Sequence, residues 1–119
     1  NADASLAAQA ALEKSGLDFN RLVVVRLRAD GRRVEATSVA PAVVASALVR
    51  GQPAKTIFRL NEAHDGLILF SRDAAKGAAY RTEISLAELE SKRGLVFPVV
   101  QADGSLRDQA FKLEQIIRP

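Results

Sequence analysis

The run from Leu22 to Ser38 constrains this chain more than any other stretch. Leu22-Val23-Val24-Val25-Arg26-Leu27-Arg28 and Arg33-Val34-Glu35-Ala36-Thr37-Ser38 are β-prone segments separated by Ala29-Asp30-Gly31-Arg32. Asp30-Gly31 suits a two-residue turn, because both central positions need positive φ and these residues adopt it at low cost. That turn fixes the register. Leu27 falls opposite Val34 and Val25 opposite Ala36 on one face, and Arg26 meets Glu35 on the other, a favourable cross-strand pair. The same register sets Arg28 directly opposite Arg33, which is unfavourable unless an anion or a carboxylate lies between them.

Further elements follow from the same kind of pattern. Asp3 to Ser15 is Ala-rich and ends at Gly16, which predicts a peripheral helix capped by Asp3 or Ser5. Pro41 to Arg50 is almost wholly apolar, with Pro just inside its start and Gly51 just past its end, and this predicts a short buried helix. Lys55–Leu60 and Gly66–Arg72 read as a second hairpin joined by Asn61-Glu62-Ala63-His64-Asp65. Leu67-Ile68-Leu69-Phe70 is a continuous apolar run, as in a strand covered on both faces. After a small-residue loop from Asp73 to Ala79, Tyr80-Arg81-Thr82-Glu83-Ile84 alternates as a strand.

Ser85-Leu86-Ala87-Glu88 is a capping box, and Ile84 with Leu89 can form the hydrophobic staple beside it, so a helix runs from Leu86 to Arg93 and stops at Gly94. Leu95–Val100 reads as a strand that Pro98 pushes towards an edge or a bulge. Asp103-Gly104 turns the chain. Ser105 with Asp108 then opens a predicted last helix, on which Leu106, Ala110, Leu113 and Ile117 form one apolar stripe. The expected order is α-ββ-α-βββ-α-β-α, an α+β domain with a mostly antiparallel sheet flanked by helices.

Composition decides which chemistry is open to such a domain. At 119 residues a single domain spanning the whole chain is expected, burying roughly two-thirds of its unfolded surface. The absence of Cys excludes disulfides, thiol nucleophiles, Cys-ligated zinc and iron–sulfur clusters, and a single His excludes multi-His metal sites. No cofactor is therefore expected. His64-Asp65 lies in a hairpin loop, no Gly-x-Ser-x-Gly elbow surrounds any Ser, and the glycines form no phosphate-cradling loop. Glu88 and Glu90 stand two apart on a helix and diverge. No self-contained active site emerges. No apolar run is long enough to span a membrane. Asn1-Ala2, in a chain without Met, is consistent with a cloning scar, and the expectation is an excised domain of a larger protein or a mature processed chain.

Of the 17 cationic residues, 12 are Arg, and Arg21, Arg26, Arg28, Arg32 and Arg33 crowd the first hairpin. Arginine favours bidentate partners such as carboxylate and phosphate. Arg26, Arg28, Arg32 and Arg33 are accordingly the candidate anion or nucleic-acid contacts, although no aromatic residues interleave with them and the net charge is only +3.

Two resemblances bear on function. Ser85-Leu86-Ala87-Glu88-Leu89-Glu90-Ser91-Lys92-Arg93-Gly94-Leu95 resembles the first helix and turn of helix-turn-helix regulators, although Val96-Phe97-Pro98-Val99-Val100 departs from a recognition helix. Lys55 to Pro98, ending Gly94-Leu95-Val96-Phe97-Pro98, resembles the C-terminal end of the DNA/RNA non-specific endonucleases. That family's Asp-Arg-Gly-His motif is absent here, so no catalytic residue carries over. The leading expectation is a non-catalytic interaction or regulatory module, meeting a protein partner or a second copy through an exposed sheet edge near Lys55–Leu60 or Leu95–Val100. Nucleic-acid binding through the Arg-rich hairpin is the alternative.

Overall fold

The structure, a computed structural model, describes residues 22–73, 77 and 79–119. The helix expected over Asp3–Ser15 and part of the loop after Asp73 lie outside these residues. The fold is mostly antiparallel β, with 67% of the described residues in strands and 7% in helix, so the α+β expectation with several flanking helices is overturned.

Sheet A contains β1 (Val24–Ala29), β2 (Arg32–Thr37), β7 (Gly94–Val100) and β8 (Leu106–Ile117), in the order β2-β1-β8-β7. Sheet B contains β3 (Ala42–Val49), β4 (Gln52–Leu60), β5 (Gly66–Arg72) and β6 (Ala79–Ser85), in sequence order. A single helix among the described residues, α1 (Leu86–Lys92), links the two sheets after β6.

The first hairpin forms in the expected register, with Leu27 opposite Val34, Arg26 opposite Glu35 and Arg28 opposite Arg33. Asp30 and Gly31 take φ of 49° and 75°, as that turn requires. Arg50 and Gly51 repeat the device at 51° and 77°. Gly51 therefore does not stop a helix over Pro41–Arg50; it turns β3 into β4, with Val49 opposite Gln52. The second misread element is Ser105–Ile117. The hydroxyl and amide of Ser105 are both held by Asp103 Oδ1 (2.6 and 3.0 Å), which locks the preceding turn, and residues 106–117 form β8 between β1 and β7.

The core lies between the inner faces of the sheets. Phe58 of β4 meets Phe97 of β7 and Phe111 of β8 edge-on, with ring centroids 6.0 and 5.0 Å away. Such ring pairs contribute about 0.5–1.5 kcal/mol each beyond the area they bury. Val25, Leu27, Leu67, Leu69, Leu86 and Leu89 belong to the same buried cluster. Ser85 Oγ accepts the Glu88 amide at 3.1 Å, so the predicted cap forms. Arg93 ends the helix in the left-handed region (φ 61°), and its N–H donates to the Leu89 carbonyl at 2.9 Å.

Lys55–Leu60 belongs to β4, which pairs on both sides and is no edge, contrary to expectation. β7 is an edge, as Pro98 implied, but its end at Val100 is closed from sheet B. Val100 N–H donates to Thr56 Oγ1 at 2.9 Å, Thr56 and Ser71 share a hydroxyl–hydroxyl bond of 2.6 Å, and Ser71 Oγ donates to the Pro98 carbonyl at 2.5 Å. Both hydroxyl residues are fully buried. This loop of hydrogen bonds fastens β7 to β4 and β5.

Candidate functional site

Three of the four candidate arginines come together on the outer face of sheet A. Arg26 Nε donates to Glu35 Oε2 at 2.6 Å and Arg26 Nη1 to Gln115 Oε1 at 2.9 Å. Arg28 and Arg33 share one carboxylate: Arg28 Nε bonds Glu114 Oε1, and Arg33 Nε lies 3.4 Å from Glu114 Oε2. The like-charge conflict in the hairpin is thus resolved by a carboxylate from the far end of the chain. A β-bulge puts it there. Arg26 faces Gln115 and Leu27 faces Leu113, so Glu114 is the extra residue, redirected towards the arginines. Hydrogen bonding from Arg28 holds the Glu114 carboxyl below the usual glutamate range, and the charges of Arg28 and Arg33 act in the same direction. Lys112 stands opposite Arg28 and extends the cationic row.

Arg32 is separated from this group. Its Nη2 donates to the Val44 carbonyl at 3.0 Å, at a bulge in β3 where the ladder skips from Val43 to Ala45. It joins the sheets and lines an open cleft of about 540 Å3 with Val44, Val99, Gln101 and Gln109. The polar groups here are spent on local bonds: Gln109 Nε2 on Asp30 Oδ2 (2.9 Å) and Gln101 Nε2 on the Val99 carbonyl (2.9 Å). Among the described residues no group of three or more His, Asp or Glu is placed to hold a metal ion. His64 sits in the β4–β5 loop, where its N–H donates to the Asn61 carbonyl at 3.1 Å.

A second surface was not singled out from sequence. β6 is the outer strand of sheet B, and Ala79, Tyr80, Arg81, Thr82, Glu83 and Ser85 are all exposed, on both faces. Tyr80 and Thr82 share the face of the buried Ser71 and Leu69 yet remain uncovered, Tyr80 at 51% exposure. Between β6 and β7 runs a groove of about 300 Å3 floored by Leu69 and Phe97 and walled by Thr82, Ile84, Lys92 and Val96.

The backbone of β6 has a definite polarity. The Asn61 amide donates to the Gly66 carbonyl at 3.0 Å and the Leu86 amide to the Asp65 carbonyl at 2.9 Å. Because antiparallel bonding alternates residue by residue, Tyr80, Thr82 and Ile84 direct their N–H and C=O groups at β5, and Arg81 and Glu83 direct theirs at the open edge. The alternating Tyr80–Ile84 segment carried the signal for a strand, and nothing in its letters says which side lacks a neighbour.

The chain matches no known protein family, no curated protein and no solved structure. The helix-turn-helix resemblance ends at α1: where a recognition helix would stand, residues 94–100 form β7. The endonuclease-like ending Gly94–Pro98 is part of the same strand.

Proposed function

We propose that this chain is a non-catalytic interaction module that binds an extended segment by strand addition along β6. The observation that carries the reading is the backbone edge at Arg81 and Glu83, which has no neighbour among the described residues. Strand addition supplies affinity through main-chain hydrogen bonds and specificity through alternate side chains. Each of the other three edges offers less. β2 and β3 are tied together by Arg32, β3 is also bulged, and β7 is closed at one end by Thr56 and Ser71. β6 pairs with β5 in unbroken register from Ser85 to Ala79.

Selection of random seven-residue peptides displayed on phage, against dilute protein, tests this. The selected peptides should bind the wild type and lose at least about tenfold in affinity for Arg81→Pro. That substitution removes an N–H from the open edge and none from the β5 ladder. No enriched peptide, or peptides that bind Arg81→Pro equally well, overturns the reading.

Phosphate-backbone binding by the hairpin ranks second, supported by the row Arg33–Arg28–Lys112 across three strands. Glu114 already occupies Arg28 and Arg33 in that row, and Glu35 takes Arg26 beside it, so a phosphate would have to displace Glu114 from two arginines at once. Filter binding with a duplex at low salt decides it. Affinity that falls steeply with salt and weakens in the Arg28→Ala/Arg33→Ala double variant supports this reading, and no retention removes it.

A further inference from the structure

We infer that the segment received by β6 is β6 of a second copy, paired antiparallel about a two-fold axis through Thr82. This rests on the strand-addition reading and names its partner.

The sequence of β6, Ala79-Tyr80-Arg81-Thr82-Glu83-Ile84-Ser85, is complementary to itself when reversed. With Thr82 opposite Thr82, Arg81 faces the second copy's Glu83 and Glu83 faces its Arg81. Tyr80 faces Ile84 in the same way. Opposite charges and an aromatic over a β-branched side chain are both favourable cross-strand pairs. The backbone agrees with this centre. Arg81 and Glu83 are the residues whose N–H and C=O groups face the open edge, so each pair exchanges both main-chain bonds.

Competing registers fail on charge or on parity. Centring on Arg81 sets that arginine against itself, and centring on Glu83 sets two carboxylates together. A shift by one residue brings groups that already bond β5 opposite groups that do not, and it mixes the two faces. Parallel pairing places identical charges side by side. Among the registers that set Arg81 and Glu83 against the same two residues of a second copy, only the Thr82 centre opposes their charges while matching face and hydrogen bonding. The contact is isologous and closes on itself, so it stops at a dimer with one continuous sheet running through both copies of sheet B. Tyr80, exposed in a single copy, gains cover from the second copy's Ile84. A contact of one strand per copy is small for a protein interface, so the dimer dissociates on dilution.

Sedimentation equilibrium over a wide concentration range, with the 119-residue chain, tests the pairing. The wild type should rise from 12.8 kDa towards twice that mass. Arg81→Glu or Glu83→Arg alone creates like-charge pairs at both symmetric positions and should weaken association by about tenfold or more. The double swap R81E/E83R should restore it, as should mixing the two single variants, since a mixed pair then has every charge opposed. A mass of 12.8 kDa at every concentration, or a dimer indifferent to the reversals, overturns the inference. If the chain is monomeric but still binds selected peptides that Arg81→Pro rejects, this pairing is wrong and strand addition stands. If neither is seen, both fall.

Discussion

At the scale of single residues, two polar arrangements hold distant parts of the chain together. Thr56 Oγ1 accepts from Val100 N–H and donates to Ser71 Oγ, which donates to the Pro98 carbonyl, so each hydroxyl both gives and receives. Thr56→Val keeps the shape and removes the hydroxyl, leaving buried polar groups unpaired. It should cost about 1–3 kcal/mol of stability, read as a lowered urea midpoint, and an unchanged midpoint would deny the network its role. Glu114 is the counterpart at the surface. Its carboxyl is held low chiefly by the hydrogen bond from Arg28. A group whose acidity is raised by folding stabilises the native state above its unfolded midpoint, and that contribution is lost as pH falls through its lowered folded midpoint. Following the Glu114 carboxyl carbon by NMR should give a midpoint below that of an ordinary glutamate, and Arg28→Ala should move it upward. A midpoint insensitive to Arg28→Ala contradicts the assignment. The Arg28–Arg33 conflict was legible in the first hairpin alone. Its resolution was not, because the carboxylate comes from a strand far along the chain and only a bulge turns it towards the arginines.

At the scale of elements, turn chemistry and caps were the legible part. Asp30-Gly31, the Ser85 cap and the edge position of Pro98 take their expected roles, because each depends on a few neighbouring residues, although the Glu88 carboxylate pairs with Lys92 and does not close the box on the Ser85 amide. The two helices predicted over Pro41–Arg50 and Ser105–Ile117 are strands, and both contain a bulge. A bulge advances the alternation by one residue. In β8 the expected stripe of Leu106, Ala110, Leu113 and Ile117 breaks down: Ala110 and Ile117 are exposed, and the inward positions are Phe111, Leu113 and, past the bulge, Ile116. In β3, Val44 is the added residue, and Pro41 and Gly51 then looked like helix punctuation although Gly51 belongs to a hairpin turn. The helix that does form depends on local signals. Ser85→Ala should destabilise the fold by about 1 kcal/mol in thermal or urea unfolding, and no change would mean that the cap is idle. Gly94, immediately after it, is required by space: an added Cβ would lie 2.3 Å from the Phe111 carbonyl oxygen. Gly94→Ala should be the more damaging of the two substitutions, because β7 must shift away from β8 to accept it. Wild-type stability in the Gly94→Ala variant would contradict that packing.

At the scale of the whole molecule, two four-stranded sheets leave four edges, and the chain treats them differently. β2 and β3 are linked by Arg32, β7 is fastened by Thr56 and Ser71, and β6 is regular and, among the described residues, uncovered. That asymmetry was invisible in the sequence, since it depends on which strands end up outermost. It also separates β6 from the arginine hairpin, whose charges are largely satisfied within sheet A. Amide hydrogen exchange along residues 79–85, read by NMR at low and high protein concentration, tests this most directly. In dilute solution the amides of Tyr80, Thr82 and Ile84 should exchange slowly and those of Arg81 and Glu83 fast, and at high concentration the latter two should become protected. Arg81 and Glu83 amides as protected as their neighbours in dilute solution would show that β6 has no open edge, and amides that stay fast at every concentration would show that a second copy does not fill it.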